Sequence, residues 1–205
     1  MEKPETSPEM RLFGPGGERL YLTALERQRF LSALDEEHPM DRLFCHVLHF
    51  SGCRPSEALE LAPRRVLFDE QALVFRSLKK RKFDTRGRTK QPQYRTVPVP
   101  NILIENLDLV YGIRALQKKG KGLDIPLWTM SRPTAYRLVK PVMDRAGIVG
   151  KMATGKGLRH GFGVAMVTAK KPLPIHVLSQ LMGNADTKTM EIYLQVGVGK
   201  KNDRW

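Results

Sequence analysis

Several side chains in this sequence have types suited to chemistry at a phosphate group. Arg159 carries a permanently charged, planar guanidinium that can bind two phosphate oxygens at once. Tyr193 carries a phenol that can attack phosphorus and form a covalent intermediate. A second arginine, Arg54, and a lysine-rich run that begins at Lys79 lie upstream. Together these residue types favour a reaction at a phosphodiester.

Each of these residues also has an ordinary structural explanation when it is taken alone. Arg54 could be a surface or capping arginine, since exposed arginines are common. Tyr193 could be a core tyrosine whose hydroxyl reaches the rim. The run from Lys79 to Lys82 could be a solvated stretch of charge. The case for a site therefore depends on all of them occurring together, in order.

The overall charge favours a polyanionic partner. The chain has 205 residues with 35 Lys and Arg against 21 Asp and Glu, a net charge of +14 and a pI of about 10.0. Nucleic acid or an anionic membrane would fit this excess. No apolar run reaches the roughly 18 residues that a membrane span needs, and the N-terminus lacks a signal-peptide core. We expect an intracellular protein whose favoured partner is nucleic acid rather than a membrane.

Nothing in the sequence indicates a metal or another cofactor. Cys45 and Cys53 give neither a disulfide framework nor a zinc spacing, and both are predicted to be small buried hydrophobic residues. The histidines at 46, 49 and 176 show no metal-binding spacing either. The cysteines and histidines therefore indicate no metal site.

Helix signals occur along most of the chain. Thr23 and Glu26 form a capping box for a first helix. Asp41 is predicted to cap a second helix that runs to Ser51 and ends at Gly52. Further helices are predicted over residues 55–61, 102–117, 131–146 (capped by Ser131), 158–170, 174–182 and 187–196.

A short β-rich stretch interrupts the helices. Runs over 66–68 and 73–75 predict two strands, and 94–100 predicts a returning strand whose prolines indicate an edge. A long basic hairpin loop, from Lys79 to Arg95, connects the second of these strands to the returning one. The fold class is therefore mostly α within an α+β domain: a helical body with a small antiparallel sheet.

The order and spacing of the motifs resemble the tyrosine recombinase (phage integrase) family over nearly all of the chain from Thr23 onward. The segment 52–61 resembles the family's first arginine box, and Lys79 falls where the family places its hairpin lysine. The segment 158–162 resembles the second arginine box. Leu181-Met182-Gly183-Asn184, followed nine residues later by Tyr193, matches the family's spacing to its nucleophile. One box alone is a weak signal, but four in order are specific.

The resemblance implies a catalytic-domain fold and a role for each matched residue. Arg54 and Arg159 would bind the scissile phosphate, and Tyr193 would attack it to form a 3′-phosphotyrosine. Lys79, with Lys80 as the reserve candidate, would protonate the departing 5′ oxygen. The phosphotyrosine conserves the energy of the phosphodiester, so the family needs neither a metal nor ATP.

Two positions depart from the family pattern. Lys156 stands where the family usually has histidine, and it retains a cation but cannot act as a neutral imidazole base. Asn184 stands where His or Trp is usual, and its amide can donate a hydrogen bond without supplying charge. Both residues are expected to complete the phosphate pocket, and both departures concern the cleavage rate rather than DNA binding.

Further residues are expected to support the site. Glu57 could orient Arg54, although a plain helix salt bridge is an equal alternative. His160 is expected to be a packed, hydrogen-bonded neighbour of Arg159 rather than a proton carrier. The basic hairpin is expected to bind the DNA backbone through Lys80, Arg81, Lys82, Arg86, Arg88 and Lys90.

The predicted domain organisation is a flexible leader over 1–20, a catalytic domain over 21–196 and a flexible tail over 197–205. Most family members carry a helical DNA-binding domain before the catalytic one, and the leader is too short to form it. The resemblance implies self-association as a tetramer on DNA, and Trp205 could anchor in a partner protomer. It also implies a bacterial, phage-encoded or plasmid-encoded protein that acts in the cytoplasm, on the nucleoid.

Two other functions stay open. One is a DNA-binding regulator on a recombinase scaffold that no longer cuts, favoured by Lys156 and Asn184 and opposed by the presence of Arg54, Arg159 and Tyr193. The other is an enzyme like the type IB topoisomerases, which share this chemistry and have lysine at the position of Lys156.

Overall fold

A computed structural model of the chain describes residues 11–77, 91–184 and 188–199. A helical body carries a small antiparallel sheet on one side. The helices are α1 (Ala24–Ser32), α2 (Pro39–Ser51), α3 (Pro55–Ala58), α4 (Asn101–Tyr111), α5 (Ile113–Lys119), α6 (Arg132–Arg145), α7 (Gly155–Thr168), α8 (Ile175–Met182) and α9 (Leu194–Gly199). The strands are β1 (Val66–Leu67), β2 (Ala72–Arg76) and β3 (Tyr94–Pro98). Within these ranges, the helices are too short or too polar to cross a membrane.

The first helices follow their local signals, with one exception. The capping box of α1 is confirmed, because Thr23 Oγ1 accepts from the Glu26 backbone N–H at 3.2 Å and the Glu26 carboxylate accepts from the Thr23 N–H at 2.7 Å. Gly52 ends α2 with φ 59°, as predicted. The predicted cap at Asp41 is wrong: α2 begins at Pro39, whose fixed φ suits the first position of a helix, and Asp41 lies in its first turn.

Two further helix predictions need correction or adjustment. The helix predicted over 102–117 is two helices, because Gly112 adopts φ 62° and ends α4 before α5 begins. The last predicted helix, 187–196, is a 3-10 segment over Lys188–Tyr193 followed by α9. The cap of α6 at Ser131 is confirmed, since its hydroxyl accepts from the Thr134 N–H at 3.3 Å.

The sheet has the order β1-β2-β3, and both pairings are antiparallel. Since β3 pairs only with β2 among the described strands, the edge position predicted from its prolines is confirmed. The register places Arg95 opposite Phe75 and Val97 opposite Leu73. Arg95 and Val97 therefore share the face of β3 that packs on the helical body.

The main core fills the space between the helices and the sheet. Its largest members include Phe30, Phe44, Phe75, Leu103, Ile104 and Trp128. Cys45 and Cys53 are free and buried, as predicted. Burial of this apolar surface is what holds α2 at the centre of the body.

A second, smaller cluster packs beside the main core and joins distant parts of the chain. We call it the tyrosine cluster; it contains Leu12, Phe162, Val164, Val167, Leu178, Met182, Met190, Ile192 and Tyr193. Residues 1–10 of the expected leader lie outside the described residues, and Leu12 is buried in this cluster. At the other end, α9 reaches Gly199, and the expected anchor Trp205 lies outside the described residues.

Candidate active site

The side chains of Arg54 and Arg159 meet at one oxygen atom. Arg54 precedes the first turn of α3 and its Nη2 donates to Asn184 Oδ1 at 3.2 Å. Arg159 lies on α7 and its Nη2 donates to the same Oδ1 at 3.2 Å. Folding thus brings together two arginines and the amide, which come from three separate predicted motifs. Two charged donors aimed at one acceptor form a geometry suited to an anionic oxygen.

Arg159 is fixed by backbone carbonyls on both sides. It is 6% exposed; its Nη1 donates to Gly52 O at 2.6 Å and its Nη2 to Met182 O at 2.7 Å. Burial, reinforced by the charge of Arg54, lowers the pKa of Arg159 to about 10. The guanidinium therefore remains charged at neutral pH.

The start of α7 is shaped by a close backbone approach. Thr154 caps the helix by accepting from the Gly157 N–H at 3.1 Å. A Cβ at Gly157 would overlap the carbonyl of Met152 and lie 3.0 Å from Leu22 Cδ1. Glycine at this position lets α7 begin close to its neighbours, which places Arg159 one turn further on, inside the molecule.

Glu57 links Arg54 to an arginine that the sequence analysis did not single out. The Glu57 side chain is fully buried and accepts from the Arg54 backbone N–H at 2.9 Å, from Arg54 Nη1 at 3.0 Å and from Arg95 Nη2 at 2.6 Å. Burial by itself raises the pKa of the Glu57 carboxyl, but the Arg95 and Arg54 contacts outweigh it and hold the pKa below its ordinary value. Glu57 is thus a charged carboxylate between two cations.

The sequence contained a pattern that could have identified Arg95 as a buried arginine with a charged partner. Arg95 occupies the same strand face as Val97, two residues away, and an arginine on the apolar face of a predicted strand requires a buried partner. That partner, Glu57, lies on a different element, so the pairing becomes visible only in the folded structure.

Tyr193 is fully buried in the tyrosine cluster, at 0% exposure. Its hydroxyl shares a hydrogen bond of 3.0 Å with His160 Nδ1. Its ring lies against the backbone of Gly163, where an added Cβ would come within 2.5 Å of Tyr193 Cζ. Burial raises the pKa of Tyr193 to about 12, and the charges of Arg159 and Arg54 partly oppose that rise. The phenol is therefore protonated and shielded from solvent in this conformation.

His160 is uncharged in its buried position. Burial, followed by the positive charges of Lys156 and Arg159, lowers the pKa of His160 to about 3. Lys156 is exposed on the first turn of α7, one turn before His160. Asn184 is held from its other side too, since its Nδ2 donates to Met190 Sδ at 2.6 Å.

The remaining predicted site residues lie outside the described residues. They are Lys79, Lys80, Arg81, Lys82, Arg86, Arg88 and Lys90. Within the described ranges, no group of three or more His, Cys, Asp or Glu side chains could hold a metal ion.

Comparison with known proteins decides the family. The sequence model that describes the phage integrase family matches residues 21–198 of this chain. The chain belongs to this family. Tyrosine recombinase XerA of Pyrococcus furiosus is 26% identical over 184 residues, which are 85% of this chain and 57% of XerA. The chain thus spans little more than half the length of that relative.

Solved structures of tyrosine recombinases confirm the predicted fold class. The recombinase XerH, in a post-cleavage complex with a palindromic difH substrate, superposes with a TM-score of 0.71 at 19% identity, covering 92% of this chain and 54% of XerH. The catalytic domain of bacteriophage HP1 integrase superposes with a TM-score of 0.58 at 20% identity, covering 91% of this chain and 97% of that domain. The described chain therefore has the fold of a phage integrase catalytic domain.

Proposed function

We propose that this protein cleaves and rejoins double-stranded DNA at a specific site through a covalent 3′-phosphotyrosine at Tyr193. The observation that carries the proposal is the convergence of Arg54 and Arg159 on Asn184 Oδ1. Membership of the phage integrase family supports it. The proposed catalytic domain spans residues 21–196, with a leader before it and a tail after it.

The arginine pair is the proposed binding site for the scissile phosphate. A non-bridging phosphate oxygen would replace Asn184 Oδ1 as the acceptor of both guanidiniums, and Asn184 Nδ2 and Lys156 would complete the pocket. Since Arg159 is already fixed by Gly52 O and Met182 O, it needs little reorganisation when charge develops at phosphorus. Donors prearranged in this way typically contribute about 10²–10³ in rate.

Tyr193 must leave its buried position before it can react. In the proposed step the phenolic oxygen bonds to phosphorus as its proton passes to solvent water, and the bond from phosphorus to the 5′ oxygen breaks. Lys79, or Lys80 as the alternative, gives a proton to that 5′ oxygen. Burial raises the pKa of the Tyr193 phenol, and the charges of Arg159 and Arg54 oppose part of that rise; once the phenol lies beside the phosphate, the same charges would favour its ionisation. Attack by the free 5′ hydroxyl reverses the step, so rejoining needs neither ATP nor a metal ion.

The other parts of the proposal follow from a DNA substrate. The basic residues between Lys80 and Lys90 would bind backbone phosphates, and the net charge of +14 would make affinity strongly dependent on salt. Exchange of strands between two duplexes would need several protomers, and we propose a tetramer on DNA. Its place of action would be the cytoplasm, on the nucleoid.

A suicide-substrate experiment tests the proposal. Nicked duplexes tiled across the DNA that flanks the protein's own gene would be incubated with wild type, Tyr193→Phe and Tyr136→Phe, and covalent complexes resolved by denaturing electrophoresis. Tyr136 is an exposed tyrosine on α6 and serves as the matched control. We expect a covalent complex with wild type and Tyr136→Phe and none with Tyr193→Phe. Equal trapping by Tyr193→Phe and wild type would remove the catalytic role of Tyr193.

A non-cleaving DNA-binding regulator remains the second candidate, because the Tyr193 phenol is fully buried. That function predicts protection of a specific DNA site by wild type and Tyr193→Phe alike, with no covalent complex from either. A topoisomerase-like enzyme would instead relax supercoiled plasmid of any sequence, and Tyr193→Phe would abolish that relaxation.

A further inference from the structure

Arg95 lies between the sheet and the candidate phosphate site. Its side chain is 8% exposed, and the guanidinium sits over the ring of Phe75, with its carbon 5.3 Å from the centroid. Nη2 donates to Glu57 Oε2 at 2.6 Å and Nε donates to Leu181 O at 2.8 Å. One edge of this guanidinium therefore ties β3 to both α3 and the end of α8.

The atoms held by Arg95 are those that locate the phosphate-binding groups. Glu57 Oε2, which accepts from Arg95, also accepts from the backbone N–H of Arg54 at 2.9 Å. Leu181 O lies beside Met182 O, the acceptor of Arg159, and three residues before Asn184. Arg95 and Arg159 thus fix consecutive carbonyls at the end of α8, where the chain turns toward Asn184.

The surroundings of Gly183 also show how closely the Arg95 side chain approaches the backbone before Asn184. A Cβ at this position would lie 2.7 Å from Arg95 Nη1, and the residue has φ 64°. The guanidinium therefore packs against the backbone just before Asn184. Nη1 itself is buried, with no hydrogen-bond partner among the residues that the structure describes.

We infer that Arg95 is a positioning residue for DNA cleavage: through Glu57 and Leu181 O it sets the positions of Arg54 and Asn184 relative to the scissile phosphate. The inference rests on the proposed function. Arg95 also affects which hydrogen bonds the Arg54 side chain can make with Glu57. Because Glu57 Oε2 already accepts from Arg95 Nη2 and from the Arg54 backbone N–H, the Arg54 side chain pairs with Oε1 through Nη1 alone. Arg54 Nη2 donates instead to Asn184 Oδ1, the place proposed for a phosphate oxygen.

Lysine could not replace Arg95 in this role. Its ammonium would retain the charge beside Glu57 but lacks the planar fork that donates to Glu57 and Leu181 O together. A loss of alignment of about 1 Å at a reacting group can lower a rate by about 10²-fold. Arg95→Lys should therefore slow cleavage while DNA affinity is retained.

The test separates the cleavage rate from DNA binding. Single-turnover formation of the covalent complex would be measured at saturating concentrations of a duplex that wild type cleaves, and Kd would be measured by mobility shift in the Tyr193→Phe background. The matched control is Arg76→Lys on β2, where Arg76 pairs with Glu60 at 3.6 Å and is 42% exposed. We expect Arg95→Lys to lower the rate roughly tenfold to hundredfold with Kd within about threefold of wild type, and Arg76→Lys to change neither.

A double-mutant cycle with Glu57→Gln adds a second measurement. If both side chains act through one link, the double variant should lose far less than the product of the two single losses. Should Arg95→Lys not fold, as judged by circular dichroism and thermal unfolding, Arg95→Gln takes its place under the same criteria.

The inference is overturned if Arg95→Lys cleaves at the wild-type rate, if its loss lies in Kd alone, or if Arg76→Lys loses as much. Additive losses in the cycle would overturn it as well. Trapping that depends on Tyr193 together with an unaffected Arg95→Lys would leave the proposed function standing and remove only the role of Arg95. Trapping that does not depend on Tyr193 would remove the proposed function itself.

Discussion

Arg54 and Arg159 are fixed by polar partners on several elements, whereas Tyr193 is fixed by apolar packing and a hydrogen bond to His160. Glu57 and Gly52 O hold the arginine side, and both are bonded at 3.0 Å or less. The tyrosine side belongs to a separate apolar cluster that includes Leu12 and Met190.

The two halves of the site are therefore held by different kinds of interaction. Buried hydrogen bonds to carbonyls and carboxylates are directional and are costly to break, so the arginine side is prearranged. Apolar packing is not directional, so Tyr193 is held mainly by burial and shape, apart from its one hydrogen bond to His160. A variant that perturbs only one half of the site should therefore leave the other half unchanged.

The largest expected effect comes from breaking the arginine side. Arg159→Lys retains a charge but cannot donate at once to Gly52 O, Met182 O and a phosphate oxygen. The rate of covalent-complex formation should fall about 10²–10³-fold in single-turnover assays. Lys151→Met, at an exposed ion pair with Glu18, is the control and should cleave like wild type. A wild-type rate in Arg159→Lys would contradict a prearranged arginine side.

A smaller effect is expected from displacing the tyrosine. In Gly163→Ala the new methyl group would come within 2.5 Å of Tyr193 Cζ, so the ring must shift. Overpacking of this kind costs about 1–3 kcal/mol. Hydrogen exchange should become faster over residues 188–199 and stay unchanged over 52–58.

The matched control for that variant is Gly161→Ala on the same helix. Its Cβ would meet Leu22 O at 2.9 Å on another side of α7, away from Tyr193. Gly161→Ala should not make hydrogen exchange selectively faster over residues 188–199. If both variants change exchange in the same peptides, the two halves of the site are not held independently.

The smallest expected effect is a response to acid. Since the pKa of His160 is lowered to about 3, its contribution to the folded state is present above its ordinary pKa of about 6.5 and is lost as pH falls toward 3. At pH 5.5, one unit below 6.5, the free energy that stabilises the buried position of Tyr193 should fall by at most about 1.4 kcal/mol. Glu57, whose pKa is lowered, stays charged over this window, so the arginine side should hold.

Hydrogen exchange from pH 7.5 to 5.5, corrected for the intrinsic rate, measures this response. Residues 188–199 should lose protection before residues 52–58 do. In His160→Gln, which does not titrate, the difference should disappear. His49 stacks on Phe30 of the main core, and its pKa is lowered to about 2 by burial and then by Arg27 and His46. Its response to acid is expected to weaken the main core and so to affect both regions alike. Equal loss of protection in both regions of wild type would contradict the comparison.

The sequence by itself determined the local features of this protein and the residue types of its site. Caps and glycine turns, such as Thr23 with Glu26 and the φ 59° of Gly52, depend on a few neighbouring residues and can be read directly. The start of α2 at Pro39 and the break at Gly112 had local signals as well, and the predictions at Asp41 and over 102–117 gave them too little weight. The motif order also indicated Arg54, Arg159, Asn184 and Tyr193 as one set.

Only the tertiary structure decided how that set is arranged. Arg95 meets Glu57 across elements far apart in sequence, and the Tyr193 phenol lies buried against Gly163 and His160. Such contacts depend on how α3, α7, α8 and β3 pack, and no window of neighbouring residues contains that information. The polar contacts around the arginines and the separate apolar cluster around the tyrosine therefore arranged these residue types into a site whose two halves are held by different interactions.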